Sequence, residues 1–258
     1  MDPAKPVIEV QNLDIGYDNH PVMQNLNFNV NKGDIFIVMG VSGCGKSTLL
    51  KSMIGLKRPT KGKVSFYAKS FWDQDEKEQQ NIMRRFGVLY QSGALWSSLT
   101  VGENVALPLQ LYTKLSKEQI REMVALKLSL VGLEGQEDFF PSGMSGGMCK
   151  RVSLARAIAL DPDIIFFDEP SAGLDPINSR KLDDLILELR DGLGATIVIV
   201  THELPSIFAI GNNSVFLDEA SKTMIATGDP KGLLANSKDP RVIEFLTRGK
   251  STHEPKSQ

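Results

Sequence analysis

The sequence predicts an α/β fold in which a parallel-sheet core follows an antiparallel β-rich piece and is interrupted by a helical insertion. Three observations support this fold class. Apolar and polar residues alternate between Val7 and Val30, a helical pattern without strand signals covers Thr100–Gly132, and helices alternate with strands after Gly146. Period-2 alternation indicates half-buried antiparallel strands, whereas alternating strands and helices indicate a parallel sheet.

Length and composition are those of an ordinary globular protein. The chain has 258 residues, a formal net charge of −2, 41% hydrophobic residues and 23% charged residues. This length allows one or two domains with a sizeable core, and the composition excludes bulk disorder and a disulfide-stapled miniprotein. The nearly balanced charge argues against a strongly basic surface, so no nucleic-acid partner is expected.

No signal for membrane insertion or export is visible, and we expect a cytosolic chain. The apolar runs Ile164–Phe167 and Ile197–Val200 are much shorter than the roughly 18 residues that span a bilayer. No basic stretch followed by an apolar segment opens the chain. Cys44 and Cys149 are predicted to be reduced thiols, because structural disulfides are uncommon in chains without an export signal.

The first part of the chain predicts antiparallel strands followed by a strand, a turn and a helix. Leu26, Phe28 and Val30 give the clearest alternation of the N-terminal piece. The continuous apolar run Ile35–Met39 is typical of a strand buried on both faces. A helix is then predicted over Ser47–Gly55.

The remaining elements follow from caps and periodicity. Ser116 and Gln119 have the spacing of a capping box at the start of an apolar helical pattern. A polar tail, Lys250–Gln258, is expected to be disordered. The further predicted helices cover Val152–Leu160, Leu182–Leu189 and Arg241–Leu246, and the further predicted strands cover Ile164–Phe167, Thr196–Val200, Ser214–Leu217 and Met224–Thr227.

A phosphate-binding loop is predicted between the buried strand and the following helix. Residues Gly40–Ser47 match the pattern G-x-x-x-x-G-K-S. Glycines let backbone N–H groups surround phosphates, and a helix N-terminus favours negative charge. Lys46 can reach the β- and γ-phosphates of a nucleotide, and Ser47 can bind Mg²⁺. The predicted nucleotide-binding residues of this segment are Gly40, Ser42, Gly43, Cys44, Gly45, Lys46, Ser47 and Thr48.

Two acidic residues end a later apolar strand. Asp168 and Glu169 follow Ile164–Phe167, which puts a carboxylate at the carboxyl edge of the predicted parallel sheet. Asp168 is predicted to hold Mg²⁺ and Glu169 to polarise the attacking water. Taken alone, this pair followed by Pro170 would favour a helix N-cap followed by a solvated charge. The catalytic interpretation of the pair is favoured because the phosphate-loop residue Lys46 precedes it in the chain.

A short motif then carries a family resemblance. Residues Met144–Met148, M-S-G-G-M, resemble the L-S-G-G-Q signature of ATP-binding-cassette (ABC) ATPases. Methionines replace the usual Leu and Gln, so a backbone contact to phosphate is retained while an amide is lost. Tyr17 resembles the aromatic residue that stacks on adenine, Gln91 the glutamine between core and helical subdomain, and His202 the switch histidine. Ser171–Asp175 resembles the loop after the catalytic acid.

The resemblance extends from about Val7 to Gly228 and implies a P-loop NTPase. Its fold would be a RecA-like parallel-sheet core with an N-terminal antiparallel β-subdomain and an inserted α-helical subdomain. The core would comprise residues 1–91 and 154–228, the helical subdomain 92–153, and a C-terminal extension 229–258.

The family also implies a dimer that encloses two ATP molecules between its subunits. In that arrangement the signature of one subunit serves the nucleotide held by the other. The implied catalytic residues are Glu169, His202 and Lys46; the implied metal-site residues are Ser47, Gln91 and Asp168; the implied contacts to the partner's nucleotide are Ser145, Gly146, Gly147 and Asp175.

A narrower resemblance concerns Gln91–Trp96, Val101–Leu109 and the closing segments Asp239–Ile243 and Phe245–Leu246. They are similar to the ATPases of Mla-type lipid transporters, which are built around MCE-domain proteins of the bacterial envelope. This resemblance implies three partners: an integral membrane permease, an MCE-domain lipid-binding protein and a small STAS-type subunit. It also implies a lipid cargo and a location at the cytoplasmic face of the inner membrane, with a short permease helix received after Gln91.

Four other function classes are the alternatives to a lipid-transporter ATPase. A small-solute importer subunit shares much of the pattern, whereas ABC ATPases acting on DNA or ribosomes carry tandem cassettes or long coiled-coil insertions. Glu169 and His202 disfavour a non-hydrolysing nucleotide sensor, and the lack of an N-K-x-D stretch disfavours a Ras-type GTPase. For Cys44, nucleophilic catalysis is conceivable, but a small residue tolerated for its size is the favoured interpretation.

Overall fold

The computed structural model describes residues 6–17 and 20–249, which fall into two compact units. The first unit contains the described residues up to Ser70 and from Thr201 onward, and the second contains Phe71–Val200. The tail Lys250–Gln258, for which disorder was predicted, lies outside the described residues. The predicted division into core, helical subdomain and C-terminal extension stays a prediction.

Strands and helices are numbered here in chain order. The strands are β1 (Ile8–Tyr17), β2 (His20–Val30), β3 (Ile35–Gly40), β4 (Lys61–Phe66), β5 (Lys69–Ser70), β6 (Phe86–Leu89), β7 (Ile164–Asp168), β8 (Thr196–Val200), β9 (Asn213–Asp218) and β10 (Thr223–Thr227). The helices are α1 (Lys46–Met53), α2 (Glu76–Met83), α3 (Val101–Tyr112), α4 (Lys117–Leu130), α5 (Gly146–Ala157), α6 (Pro176–Leu193), α7 (Leu204–Ile210), α8 (Pro230–Asn236) and α9 (Pro240–Thr247).

The N-terminal sheet of the first unit has the antiparallel order β2-β1-β4-β5. Ile8 of β1 pairs with Val30 of β2 on one side and with Phe66 of β4 on the other. In β2, Leu26, Phe28 and Val30 are buried while the residues between them are exposed. The predicted antiparallel alternation is therefore confirmed.

The strand that leads into the phosphate loop is buried along its whole length. All six residues of β3 are buried, as the continuous apolar run predicts. β3 pairs in parallel with β9, and β9 pairs antiparallel with β10. The strands predicted at Ser214–Leu217 and Met224–Thr227 are therefore confirmed, each slightly longer than predicted.

The second unit contains the parallel strands β6, β7 and β8. Phe166 and Phe167 of β7 are fully buried, and both predicted strands, β7 and β8, are confirmed. β6 was not predicted, because it is only four residues long and only alternate residues are buried. Gly87 lies so close to α5 that a Cβ atom there would be 2.5 Å from the carbonyl oxygen of Ala157.

Helices α3, α4 and α5 pack together in the second unit. The capping box predicted at Ser116 and Gln119 is confirmed, with both reciprocal hydrogen bonds present at the start of α4. An equivalent box, formed by Thr100 and Glu103, starts α3. Each box satisfies N–H groups that the first helical turn leaves without a partner in the helix.

Helix α5 begins earlier than the apolar pattern predicts. The prediction placed its start at Val152, whereas the helix starts at Gly146 and ends at Ala157. The cap explains the difference, because the Ser145 hydroxyl accepts a hydrogen bond of 3.3 Å from the Met148 N–H. Two glycines therefore lie in the first turn despite their low helix propensity, which concealed this turn in the sequence.

A fully buried amide organises the turn before α3. Asn104 Oδ1 accepts from the Trp96 N–H at 2.8 Å, and Nδ2 donates to three carbonyl oxygens, including that of Thr100 at 2.8 Å.

Asn104→Ala should lower the free energy of unfolding by about 1–3 kcal/mol, because buried backbone groups lose their partners. Urea unfolding would measure this. The exposed Gln110→Ala on the same helix is the control, and equal unfolding midpoints for the two variants would contradict the assignment.

Candidate functional site

The phosphate loop has the backbone geometry that its glycines predict. Gly40 ends β3 at φ 151°, and Gly45 caps α1 at φ 102°. A Cβ at Gly40 would lie 2.5 Å from the Leu217 carbonyl oxygen, and one at Gly45 would lie 2.6 Å from Val22 Cγ1. These positions therefore require glycine for both conformation and space. The first turn of α1 follows directly, and its N–H groups suit an anion.

Lys46 is the buried cation of this loop. Its ammonium donates to the carbonyl oxygens of Gly40 and Val41, each at 2.9 Å, and its side chain lies over the loop that contains them. Ser42, Gly43 and Ser47 are exposed, and Thr48 is half-buried. A buried lysine beside exposed glycine and serine backbone can exchange its carbonyl partners for phosphate oxygens.

The structure favours the structural interpretation of Cys44. Its side chain is buried, and burial raises the pKa of the Cys44 thiol despite the opposing effect of Lys46. A raised pKa keeps the sulfur protonated and poorly nucleophilic. Burial likewise raises the pKa of Cys149, whose sulfur lies 3.5 Å from the Pro141 carbonyl oxygen.

Tyr17 and His202 also belong to the first unit. Tyr17 ends β1 with 46% of its surface exposed, and the Lys57 ammonium lies 3.8 Å from its ring centroid. His202 is exposed two residues after β8, with Nε2 3.8 Å from a carboxylate oxygen of Glu203. Both rings are accessible, so adenine stacking by Tyr17 and phosphate contact by His202 stay predictions.

In the second unit, Asp168 and Glu169 lie where β7 ends. Asp168 is half-buried, whereas Glu169 is 9% exposed and has φ 48°, a left-handed conformation that is costly for a residue with a side chain. The Glu169 N–H donates to the Val200 carbonyl oxygen at 2.9 Å and so fixes the residue against β8. Strained conformations of this kind cluster at functional sites, which fits the predicted catalytic role.

Sequence reasoning missed Lys150, a buried lysine in the second turn of α5. Its ammonium donates to the carbonyl oxygens of Pro170 at 2.6 Å and Ala172 at 2.5 Å, in the loop after Glu169. Burial lowers the pKa of Lys150, and the negative charge of Glu169 opposes that effect. The only local signal was a lysine one turn beyond the Ser-Gly-Gly motif.

The signature residues line a cleft of about 350 Å³ in the second unit. Ser145, Gly146 and Gly147 form one wall at the start of α5, and Asp175 and Asn178 lie on another. Asp175 caps α6: its carboxylate accepts from the N–H groups of residues 177 and 178, each at 3.0 Å. These hydrogen bonds and one from the Asn178 side chain lower the pKa of Asp175. The structure therefore brings these four predicted residues together.

Gln91 is exposed in the turn after β6. The turn is fixed by Arg156 of α5, whose guanidinium donates to the carbonyl oxygens of Gly93 and Ala94, each at 2.8 Å. Next to this turn lies a groove of about 890 Å³ with a mainly apolar lining. The Mla-type resemblance implied that a permease helix is received after Gln91, but the groove and its lining were not predicted. Its lining includes Met83, Val88, Ala94, Leu107, Pro108, Leu111 and Tyr112.

Within residues 6–17 and 20–249, no cluster of three or more His, Cys, Asp or Glu side chains has the arrangement of a metal site. Across the same ranges, no helix combines the length and hydropathy needed to span a bilayer.

Comparisons with known proteins agree with these features. A family model described as ABC transporter matches residues 23–172. The intermembrane phospholipid transport system ATP-binding protein MlaF of Haemophilus influenzae is 40% identical over 240 residues, covering 93% of this chain and 90% of that protein. The probable ribonucleotide transport ATP-binding protein mkl of Mycobacterium leprae is 38% identical over 244 residues, covering 95% and 70%.

Solved structures share the fold. A structure of cbiO1 from Clostridium perfringens, part of the ABC transporter complex cbiONQ, has a TM-score of 0.81 at 28% identity, covering 94% of this chain and 96% of that chain. A dimeric ATP-binding cassette in a post-hydrolysis state, bound to ADP and Pi, has a TM-score of 0.78 at 30% identity, covering 86% and 98%. The predicted α/β fold class, with an antiparallel β-subdomain and inserted helices, is confirmed.

Proposed function

The chain belongs to the ABC transporter family, as its motifs predicted, and we propose that it drives phospholipid transport in the bacterial envelope as a Mg²⁺-dependent ATPase. It is the ATP-binding subunit of an ABC transporter, and members of this family hydrolyse ATP. The main support for the lipid cargo is the 40% identity to MlaF over 93% of this chain.

ATP binding is assigned to the phosphate loop and its neighbours. The backbone of Gly40–Ser47 and the first turn of α1 would bind the phosphates, with Lys46 moving its donors from the Gly40 and Val41 carbonyls to phosphate oxygens. Tyr17 would stack on adenine, which needs no hydrogen-bonding code. This assignment extends to Ser42, Gly43, Cys44, Gly45, Ser47 and Thr48.

The residues proposed for the metal have suitable chemistry. Ser47, Gln91 and Asp168 offer hydroxyl, amide and carboxylate oxygens, which are the ligand types that Mg²⁺ prefers. A bound Mg²⁺ would neutralise charge on the β- and γ-phosphates. Because Mg²⁺ bound with a nucleotide uses only one or two carboxylates and keeps water and phosphate ligands, a dense cluster of acidic side chains is not needed.

Hydrolysis is assigned to Glu169 and His202. Glu169 would orient and polarise the attacking water, and His202 would contact the γ-phosphate. Ser145, Gly146, Gly147 and Asp175 would serve the nucleotide of a second copy in a head-to-tail dimer. ATP can close such a dimer only through a higher affinity for the closed form, and hydrolysis removes the phosphate that provides this difference.

The groove of the second unit is the proposed docking site for a helix of the membrane permease. Leu111 is 64% exposed and lines it, as do Leu107 and the half-exposed ring of Tyr112. Exposed apolar surface of this kind is typical of an interaction site. Through this contact the chain would be held at the cytoplasmic face of the inner membrane. An MCE-domain protein and a STAS-type subunit would complete the assembly.

Leu111→Asp is expected to weaken copurification with the membrane permease at least about tenfold, because a carboxylate would be buried against an apolar helix. Isolation in mild detergent with quantification of the bound permease measures the effect. Leu126→Asp is the matched control, since Leu126 is 52% exposed on α4 and does not line the groove. Equal permease recovery with both variants would contradict the docking assignment.

Isolation from native cells tests the transport assignment itself. The tagged chain is purified in mild detergent, and its companions are identified by mass spectrometry. A multi-span permease together with an MCE-domain protein is expected, and phospholipid should stimulate ATP hydrolysis by the purified assembly. Ribosomes or DNA-binding proteins without a permease would overturn the transport assignment.

A second cargo class is favoured by one observation. The relative from Mycobacterium leprae, named for probable ribonucleotide transport, is 38% identical over 95% of this chain. A small-solute importer would therefore be the alternative assembly. Recovery of a permease with a solute-binding protein, and stimulation of hydrolysis by a ribonucleotide but not by phospholipid, would establish it in place of the lipid assignment.

A further inference from the structure

We propose that Lys150 is a positioning residue that joins the signature helix to the loop behind Glu169, so that the two nucleotide sites of a dimer are coupled through this side chain. The proposal rests on the proposed function, in which Glu169 acts on the chain's own ATP and Ser145–Gly147 on that of a second copy. Lys150 lines the same cleft as Ser145–Gly147, but its ammonium is bonded to the loop after Glu169. Its role follows from the hydrogen bonds that it makes.

The loop after Glu169 depends on Lys150 for its backbone hydrogen bonds. The carbonyl oxygen of Glu169 accepts from the Ala172 N–H at 3.2 Å, and that of Ser171 accepts from the Leu174 N–H at 3.0 Å. The two remaining carbonyls between residues 169 and 172 both accept from the Lys150 ammonium. One side chain therefore satisfies two acceptors that the amides of the loop do not reach.

The Ser171 side chain within the loop does not donate a hydrogen bond to these carbonyls. The hydroxyl oxygen of Ser171, between the two carbonyls bonded by Lys150, is buried and has no hydrogen-bond partner among the described residues. Lys150 is 8% exposed, so its contact with the loop is shielded from water. Removal of the ammonium would leave buried carbonyl oxygens without hydrogen-bond donors. Because unsatisfied buried acceptors cost free energy, the loop would change its conformation.

Charge links Lys150 to the catalytic acid as well. The negative charge of Glu169 favours the protonated form of Lys150, against the effect of burial on its pKa. Glu169 also begins the loop in a left-handed conformation, φ 48°, which persists only where the surrounding structure holds it. Loss of Lys150 would therefore release both the backbone that follows Glu169 and a favourable charge near its carboxylate.

Helix α5 supplies the mechanical link. Lys150 lies five residues after Ser145, the N-cap of α5, and within the continuous helix Gly146–Ala157. A rigid helix that shifts when Ser145–Gly147 meet a nucleotide would move the carbonyl partners of Lys150 with it. The orientation of Glu169 would then depend on whether the partner's nucleotide is engaged, which is a coupling between sites in the thermodynamic sense.

Three variants of the full chain test the proposal: Lys150→Met, Lys150→Arg and the exposed Lys181→Met on α6 as the control. Lys150→Met should lower kcat at least about tenfold and bring the Hill coefficient for ATP towards one, because a misplaced catalytic group is slow and uncoupled. Binding of a fluorescent ADP should change less than about twofold. Lys150→Arg should keep kcat and the Hill coefficient close to those of the unaltered chain, since a guanidinium can donate to two carbonyls.

Hydrogen–deuterium exchange supplies a readout that needs no hydrolysis. Amides of residues 171–174 should exchange faster in Lys150→Met than in the unaltered chain or in Lys181→Met. Unchanged exchange, or an unchanged kcat and Hill coefficient, would overturn the proposal, as would equal losses of ADP affinity, kcat and thermal stability.

If Lys150→Met does not fold, Lys150→Gln is measured in the same way. Lack of ATPase activity in the unaltered chain would instead overturn the proposed function, while exchange still decides the role of Lys150.

Discussion

Glu169→Gln is expected to lower the rate of ATP hydrolysis by about 10²- to 10⁴-fold, while ATP binding is retained and a closed dimer accumulates. The substitution keeps the size of the side chain but removes the carboxylate that would polarise water. The strained backbone at φ 48° and the hydrogen bond to Val200 should persist, because both belong to the main chain. Phosphate release measures hydrolysis, and light scattering with and without ATP measures dimer formation.

The control for this variant is Glu188→Gln. Glu188 is an exposed glutamate on α6, and its substitution should leave both readouts unchanged. Accumulation of the dimer is the more specific result, because hydrolysis is the step that removes the preference of ATP for the closed form. Turnover by Glu169→Gln at the rate of the Glu188→Gln control would remove Glu169 from the catalytic role. A lower rate without an ATP-dependent dimer would contradict the proposed closure mechanism.

Local chemistry explains what could be predicted from the sequence. The run Ile35–Met39 is apolar at every position, and a strand that is buried on both faces needs that composition. Ser116 and Gln119 cap the turn that they themselves begin. The phosphate-loop pattern Gly40–Ser47 is complete within eight residues, and its glycines Gly40, Gly43 and Gly45 all have positive φ angles. Such signals are contained in short stretches of sequence.

Features that depend on contacts between distant residues could not be predicted. The signal of β6 is only four residues long, and its pairing with β7 bridges residues far apart in the chain. Helix α5 starts at two glycines because Ser145 caps it and because the second unit packs around it. The bonds of Lys150 to the loop after Glu169 join residues about 20 positions apart, so no local pattern could indicate them.

In the candidate site, residues within local motifs were predicted, whereas features that depend on contacts between distant residues were not. Motifs located Lys46, Asp168 and Glu169, and the structure places each at the end of the predicted strand or at the start of the predicted helix. The left-handed conformation of Glu169 was not predictable, because a preceding apolar strand and a following proline are compatible with several backbone geometries. The apolar groove near Gln91 is built from four elements, and two of those, α2 and β6, were absent from the prediction.

Lys46→Ala is expected to weaken ATP binding by about 10- to 100-fold, since one charged hydrogen-bonding group contributes about 1.5–3 kcal/mol. The reduction stays within this range because Lys46 gives up two carbonyl bonds of 2.9 Å when it turns to phosphate. Titration with fluorescent ATP, ADP and AMP analogues measures the effect. Contact with the β- and γ-phosphates predicts a loss that is largest for ATP, smaller for ADP and absent for AMP.

The matched control for Lys46→Ala is Lys51→Ala. Lys51 is an exposed lysine on the same helix, and its substitution removes the same charge. A general effect of net charge on an anionic ligand would weaken binding in both variants and would shrink as salt screens it. A direct contact would appear only in Lys46→Ala and would persist at high salt, because that ammonium is buried. Equal losses of affinity for ATP and for AMP in Lys46→Ala, combined with a thermal midpoint far below that of Lys51→Ala, would assign Lys46 a structural role in holding the loop carbonyls instead of a role in binding phosphate.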